Sequence, residues 1–232
     1  MTVQRSFLTG TYSLILVGNP GVGKSTILNV LGGDFHTGFS AVTGLTRKMS
    51  SKYVPVDGRR IRLVDIPGIF DIRTDDNVDG NHASKGHLEI LRNTLNDGNS
   101  YVIFFVIAPN NGRISPSDFT VMKALLDNLD QSPLVGLILT QVKREHYDAV
   151  RSSKYLKKIR EVLMEANADL KFFSKMDPLI LLDHSGEFTR SEENIIKDYI
   201  LNFEPTPVFV HRMFTTLLQR IFAVFWHLIF GV

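Results

Sequence analysis

The sequence predicts an α/β fold, a mainly parallel six-stranded sheet with one antiparallel strand, helices on both faces and a C-terminal amphipathic helix. Three observations carry that expectation. Short apolar runs alternate with segments of helical apolar spacing through the first 204 residues, the signature of strands covered by crossover helices. A glycine-rich turn ending in Gly23-Lys24-Ser25 follows the first run directly. An Asp57-Gly58 pair separates two adjacent runs, which makes those two strands an antiparallel hairpin.

The elements follow in order. Strand-like runs occupy 12–17, 49–56, 60–64, 101–108, 135–140 and 179–182. Helical spacing occupies 24–31, where Ile27, Leu28 and Leu31 share a face, then 82–95, 116–129, 147–166 and 191–202. Residues 1–204 are thus read as one domain, and 205–232 as an appended helix set off by Pro205 and Pro207. A chain of 232 residues with 44% hydrophobic content is long enough for one well-filled core plus an appendage. Irregular segments concentrate at 32–48 and 66–81, and long loops in a compact domain are where function resides.

Gly18-Asn19-Pro20-Gly21-Val22-Gly23-Lys24-Ser25, followed by Thr26, is a complete G-x-x-x-x-G-K-[ST] phosphate-binding loop. Each residue type has a physical reason. Gly18, Gly21 and Gly23 permit dihedrals that turn successive N–H groups inward onto phosphate oxygens. Lys24 reaches the outer phosphates, and Ser25 offers a hydroxyl to Mg²⁺ at a helix N-terminus, where the dipole favours anions. The motif makes the chain a nucleoside-triphosphate binder of the P-loop NTPase class.

The strand run 60–64 leads into Asp65-Ile66-Pro67-Gly68, an Asp-x-x-Gly element about forty residues after the loop. A carboxylate there holds Mg²⁺ through water, while the Gly68 N–H meets the γ-phosphate. On GNPGVGKST, GFSAVTGLTRKMSSKYV and VDIPGIFD, the chain resembles the septin-like P-loop GTPases, and among them the immunity-associated (GIMAP, avirulence-induced-gene type) G domains, over roughly residues 11–202. The resemblance implies a six-stranded G domain that binds GTP with Mg²⁺. It implies Ser25 and Thr46 as Mg²⁺ ligands with Asp65 holding the ion through water, Lys24 and Thr46 as the catalytic pair, and Gly68, Thr140 and Gln141 as nucleotide contacts. Thr46 is preferred to Thr43 because Leu45-Thr46-Arg47-Lys48 immediately precedes the next strand, as the family's switch threonine does.

Two departures from the pattern matter. Ile69 stands where Ras-like proteins carry a water-orienting glutamine, and an aliphatic group cannot hydrogen-bond the attacking water. Slow hydrolysis is therefore expected, helped by Arg73, His82, the backbone, or Arg47 or Arg113 of a second chain. Thr140-Gln141-Val142-Lys143 stands where the family has Asn/Thr-Lys-x-Asp, so a donor-only lysine replaces the carboxylate that reads guanine. Glu145, Asp148 and Asp183 are alternative acceptors. Glu145 and Asp148 equally suit a helix N-terminal turn.

Charge and composition narrow the partners. Lys and Arg exceed Asp and Glu by two, too little for a field that would select nucleic acid. The basic stretch Arg151, Lys154, Lys157, Lys158, Arg160 has the spacing of a solvated helix face. The absence of cysteine excludes disulfides and thiolate chemistry, and residues 1–10 lack the apolar core of a signal peptide. An intracellular, cytoplasmic protein is expected. Residues 208–232 place Arg212, Thr215, Thr216, Gln219, Arg220 and His227 on one helical arc opposite a wide apolar face. The uninterrupted stretch 221–232 would reach only about 18 Å as a helix, against roughly 30 Å of hydrocarbon. The segment therefore reads as a helix packed on the domain, an interfacial membrane helix or an oligomer contact.

The sequence reading is a guanine-nucleotide-binding switch protein with slow Mg²⁺-dependent GTP hydrolysis. It engages a protein effector or a second copy through 38–48 and 66–81, with membrane association as one of the readings of 208–232. The alternatives are a nucleotide-binding interaction module with negligible hydrolysis, and a small-molecule kinase. The kinase reading is disfavoured by the Asp-x-x-Gly element.

Overall fold

The structure, a computed structural model, describes residues 11–37, 49–56, 58–68, 91–126, 135–166, 177–183 and 187–207. Seven strands form one sheet: β1 (Tyr12–Val17), β2 (Ser50–Val56), β3 (Arg59–Asp65), β4 (Ser100–Ile107), β5 (Val135–Val142), β6 (Leu179–Leu182) and the two-residue β7 (Thr206–Pro207). The order is β2-β3-β1-β4-β5-β6, with β7 against β4. Pairing is parallel from β3 through β6. The β2–β3 pair is antiparallel, closed between Val56 and Arg59 with Gly58 at φ 75°. The expected six-stranded mixed sheet is present, hairpin included.

Burial explains why the strands read as continuous apolar runs. All six residues of β1 are buried, as are seven of the eight in β4, because helices cover both faces. Period-2 alternation divides the side chains between two cores. Ile15, Val17, Ile103 and Phe105 meet Leu91, Leu95, Met122, Leu125 and Ile159 on one face. Leu14, Leu16, Val102 and Phe104 meet Ile27, Leu28, Ile196 and Ile200 on the other. Each such side chain taken fully out of water contributes about 1.5–3 kcal/mol.

Helices occupy Lys24–Val30, Pro116–Leu126, Tyr147–Arg151, Ser153–Ala166 and Arg190–Leu201, and 91–95 are helical. The last begins in a capping box: Glu192 N–H donates to Thr189 Oγ1, and the Glu192 carboxylate accepts from Thr189 N–H. The single helix expected over 147–166 is in fact two. Ser152 is extended (φ −61°, ψ 143°), its hydroxyl donates to Ala149 O, and its Oγ accepts from Tyr155 N–H. Local serine bonding of this kind competes with the helical ladder and caps the next helix. β5 runs two residues beyond the expected end, through an irregularity between Leu139 and Val142.

β7 is the element the sequence reading treated only as a helix break. Thr206 and Pro207 pair antiparallel with Tyr101 and Ser100, so the chain leaves toward the N-terminal edge of the sheet. Residues 208–232, and the parts of the expected helices at 82–90 and 127–129, lie outside the described residues. Among the described residues no helix is long and apolar enough to cross a membrane.

Gly136 sits opposite Phe104 in the β4–β5 register, and a Cβ there would come within 2.2 Å of the Phe104 ring and 2.8 Å of Phe203. That absence of a side chain lets the Phe104 ring cross β5 to meet Phe203 and Tyr199, at centroid distances of 4.6 and 5.7 Å. Gly136→Ala should therefore destabilise by about 1–3 kcal/mol through overpacking, read as a lower denaturation midpoint with an unchanged m-value.

Candidate nucleotide site

β1 delivers the phosphate loop at the C-terminal edge of the sheet. Gly21 and Gly23 take φ 77° and 88°, a left-handed region in which an L side chain would be strained. Gly23 is the N-cap of the following helix and gives it no side-chain cap, so the first N–H groups of the helix are presented to an anion. Lys24 is only 6% exposed. Its ammonium donates to Gly18 O at 3.2 Å and Asn19 O at 2.8 Å, lying across the outward carbonyls of the loop. Val22 is buried and Thr26 is exposed on the helix.

Other elements grip this loop from several sides. Ser25 Oγ donates to Asp65 Oδ2 at 2.9 Å, joining two residues forty positions apart. Gly68 packs so closely that a Cβ would lie 2.4 Å from Pro20 N. Thr140 Oγ1 donates to Val22 O at 2.8 Å, with a longer contact to Ile107 O. Gln141 Nε2 donates to Gly21 O at 2.6 Å, from a residue held at φ 53°. The described members of the predicted site, from Gly18 to Thr26 with Asp65, Gly68, Thr140 and Gln141, therefore converge on one edge. Thr46, Ile69, Arg47, Arg73 and His82 lie outside the described residues.

One participant escaped the sequence reading. Asn19 Nδ2 donates to Asp118 Oδ1 at 2.6 Å, and Asp118, in the first turn of Pro116–Leu126, is 8% exposed. Burial pushes its carboxyl up to about 6, partly opposed by the Ser115 N–H and the Asn19 amide. Ser115-Pro116-Ser117-Asp118 reads as a helix start, but nothing in the sequence ties it to a residue 99 positions earlier.

The region expected to read the base is distributed differently. Lys143 is exposed and precedes a short 3₁₀ turn, Arg144–His146. Glu145 and Asp148 occupy first helical turns, and Glu145 Oε1 lies 3.4 Å from His146 Nε2. Asp183 is exposed beyond β6, its N–H bonded to Val142 O. Arg113 is exposed on the tight turn closed by the Asn110–Arg113 bridge.

A phosphate loop after β1, an Asp-x-x-Gly element brought beside its serine, and a mixed sheet of this order define a P-loop GTPase domain. The family model described as 50S ribosome-binding GTPase matches residues 13–141, more than half of the chain, and the chain belongs to that family. The tRNA modification GTPase MnmE of Dechloromonas aromatica (strain RCB) is 28% identical over 146 residues, covering 62% of this chain and 30% of that protein. MnmE of Staphylococcus epidermidis is 36% identical over 113 residues, covering 49% of this chain and 22% of that protein. The chain thus spans less than a third of the length of these curated relatives. Among solved structures, Toc33 from Arabidopsis thaliana with Mg²⁺ and GMPPNP has a TM-score of 0.56 at 18% identity, covering 87% of this chain and 89% of that one. Era with MgGDPNP and 16S ribosomal RNA has a TM-score of 0.53 at 20% identity, covering 85% of this chain and 59% of that one. At these identities the likeness is one of fold.

The Asp118 carboxyl predicts a pH-dependent stability. Its folded value near 6 lies above the ordinary 3.8, so the folded state binds the proton more tightly and this group adds stability as pH falls from 6 toward 4. Asp118→Asn should melt higher than wild type at pH 7.5, by at most about 3 kcal/mol in stability. The difference should roughly halve by pH 5 and be mostly gone by pH 4. A pH-independent difference in paired thermal melts would show that the carboxyl is not raised.

Proposed function

We propose that this protein is a guanine-nucleotide switch: it binds GTP with Mg²⁺, hydrolyses it slowly, and uses the γ-phosphate to order 38–48 and 66–81 against a partner. The observation that carries the proposal is the 2.9 Å bond between Ser25 and Asp65. Together with Gly68 against Pro20, it joins the phosphate loop to the segment that would sense the third phosphate. The narrower placement among immunity-associated G domains is part of the same proposal and rests on the three sequence segments quoted above.

The site suits Mg²⁺. Ser25 Oγ and the Asp65 carboxylate are hard oxygen donors side by side, a set that magnesium prefers. We assign Ser25 and Thr46 as direct ligands and Asp65 as a holder through water; the bound ion would offset charge on the β- and γ-phosphate oxygens. Lys24 meets the outer phosphates, and the N–H groups of Gly21 to Thr26 surround them. Ile69 cannot orient water, so turnover is slow unless a second chain contributes. Dimerisation is described as important for the GTPase activity of the Toc33 and Toc159 proteins, which supports self-association through the switch face.

Guanine is the proposed base, with weaker discrimination than a full Asn/Thr-Lys-x-Asp motif would give. The near-neutral charge speaks against nucleic acid as a partner, although Era is bound to ribosomal RNA in one of the similar structures. Residues 208–232 are proposed as a second unit lying on a membrane surface of the cytoplasm. The direction of β7 supports this, because the chain departs at the sheet edge opposite the phosphate loop and would leave the nucleotide face outward.

Titration with labelled GTP tests the core of the proposal. Lys24→Ala should abolish triphosphate binding in a protein that still folds, since the ammonium bonds loop carbonyls. GTP should compete better than ATP in the wild type, by about tenfold to a hundredfold. A folded Lys24→Ala variant with undiminished affinity, or an ATP preference, would overturn the reading.

Vesicle binding tests the appended unit. Full-length protein should pellet with anionic liposomes, and Phe222→Asp combined with Phe225→Asp should release it while changing GTP affinity by less than about threefold.

A further inference from the structure

The described residues at 18–22 are each held by a contact from a side chain or from Gly68, and most of the holding groups belong to the nucleotide machinery already assigned. The hold on the Asn19 side chain does not. It is made by Asp118, whose carboxylate accepts from the Asn19 amide at 2.6 Å. We infer that Asp118 is a positioning residue for the phosphate loop, acting through the Asn19 side chain to set the placement of Pro20 and thereby favouring the triphosphate over the diphosphate. The inference rests on the GTPase reading.

Three observations support it. First, the pair is buried where an apolar pair would be cheaper. Asp118 is 8% exposed, and Asn19 Oδ1 is buried with no hydrogen-bond partner among the described residues. A buried polar contact with an unsatisfied oxygen is unfavourable for stability alone, and its return is a fixed geometry. Second, Asp118 is itself held rigidly. Its N–H donates to Ser115 O at 3.1 Å, its carboxylate accepts from the Ser115 N–H, and Ser115 Oγ accepts from Ser117 N–H at 3.2 Å. The 2.6 Å bond to Asn19 therefore refers the loop to the start of a helix anchored in the core by Met122 and Leu125.

Third, the next residue links the clamp to phosphate sensing. Pro20 is the residue against which Gly68 packs, and the Gly68 N–H is the predicted γ-phosphate contact. A shift of Asn19 displaces Pro20 against a neighbour that has no room, so its effect falls on the third phosphate before the first two. Lys24 reinforces the same point, since its ammonium is bonded to Asn19 O.

The test is a double-mutant cycle in the full chain, read with GMPPNP and with GDP. Asn19→Ala and Asp118→Ala should each weaken GMPPNP binding about tenfold, and the double variant by no more than either single one. GDP affinity should fall by clearly less than GMPPNP affinity in each variant, so that the preference for GMPPNP over GDP drops at least about threefold. Asp118→Asn keeps an acceptor for the Asn19 amide and adds a donor for Asn19 Oδ1, so it should stay within about threefold of wild type for both nucleotides. Equal losses for GMPPNP and GDP would mark a merely structural contact and overturn the inference. Losses that multiply in the double variant, or single variants with wild-type affinity, would overturn it as well. Should Asp118→Ala fail to fold, a selective GMPPNP loss in Asn19→Ala with retention in Asp118→Asn still supports it, and an unaffected Asn19→Ala still sinks it. Wild-type protein that binds neither nucleotide would instead remove the GTPase reading.

Discussion

A phosphate loop has to point its N–H groups inward at an anion, and that requirement shapes the rest of this structure. Inward donors leave the loop without a ladder of its own, so its outward carbonyls and side chains must be held by something else. Here the holders are distinct: Lys24 on Gly18 O and Asn19 O, Gln141 on Gly21 O, Thr140 on Val22 O. Close packing replaces hydrogen bonding at Pro20, which has no N–H to give and meets Gly68 instead. Without them the left-handed glycines would leave the loop many conformations, and binding would have to order it.

Sheet topology makes those holders available. β1 lies between β3 and β4, so the connections after it diverge to opposite sides and leave a crevice at its C-terminal end. β3 ends in Asp65 on one side, while β4 and β5 bring Ile107 and Thr140 on the other. The parallel register places all these strand ends at one edge. β7 and the exit toward 208–232 occupy the opposite edge.

What could be read in the sequence follows from what is local. The phosphate loop and the hairpin signalled by Asp57-Gly58 are determined by neighbours a few residues apart, and the strand runs were visible because both faces of β1 and β4 are buried. The split at Ser152 depends on one hydroxyl choosing a carbonyl three residues back, a choice that apolar periodicity cannot register. β7 is two residues long and carries a proline, which reads as a break although pairing is possible at an open strand end. Asp118 was invisible for another reason: its partner lies 99 residues away, and a helix-start aspartate ordinarily serves only its own helix.

Thr140-Gln141-Val142-Lys143 shows why a motif can fail as a pattern and still leave part of its mechanical role in place. The irregularity in the β5–β6 pairing sits between Leu139 and Val142, and Gln141 within it takes a left-handed backbone, which disfavours a non-glycine residue by about 1–2 kcal/mol. That strain is offset by the bond from its amide to Gly21 O. The strand that leads to the base-reading region is thus joined to the phosphate loop at two successive residues, Thr140 and Gln141. Lys143 lies beyond this joint and is exposed, so the joint does not depend on the residue at the last position of the motif. The hold on the phosphate loop and the last position of the motif are therefore separate, because they fall to different residues of the same four.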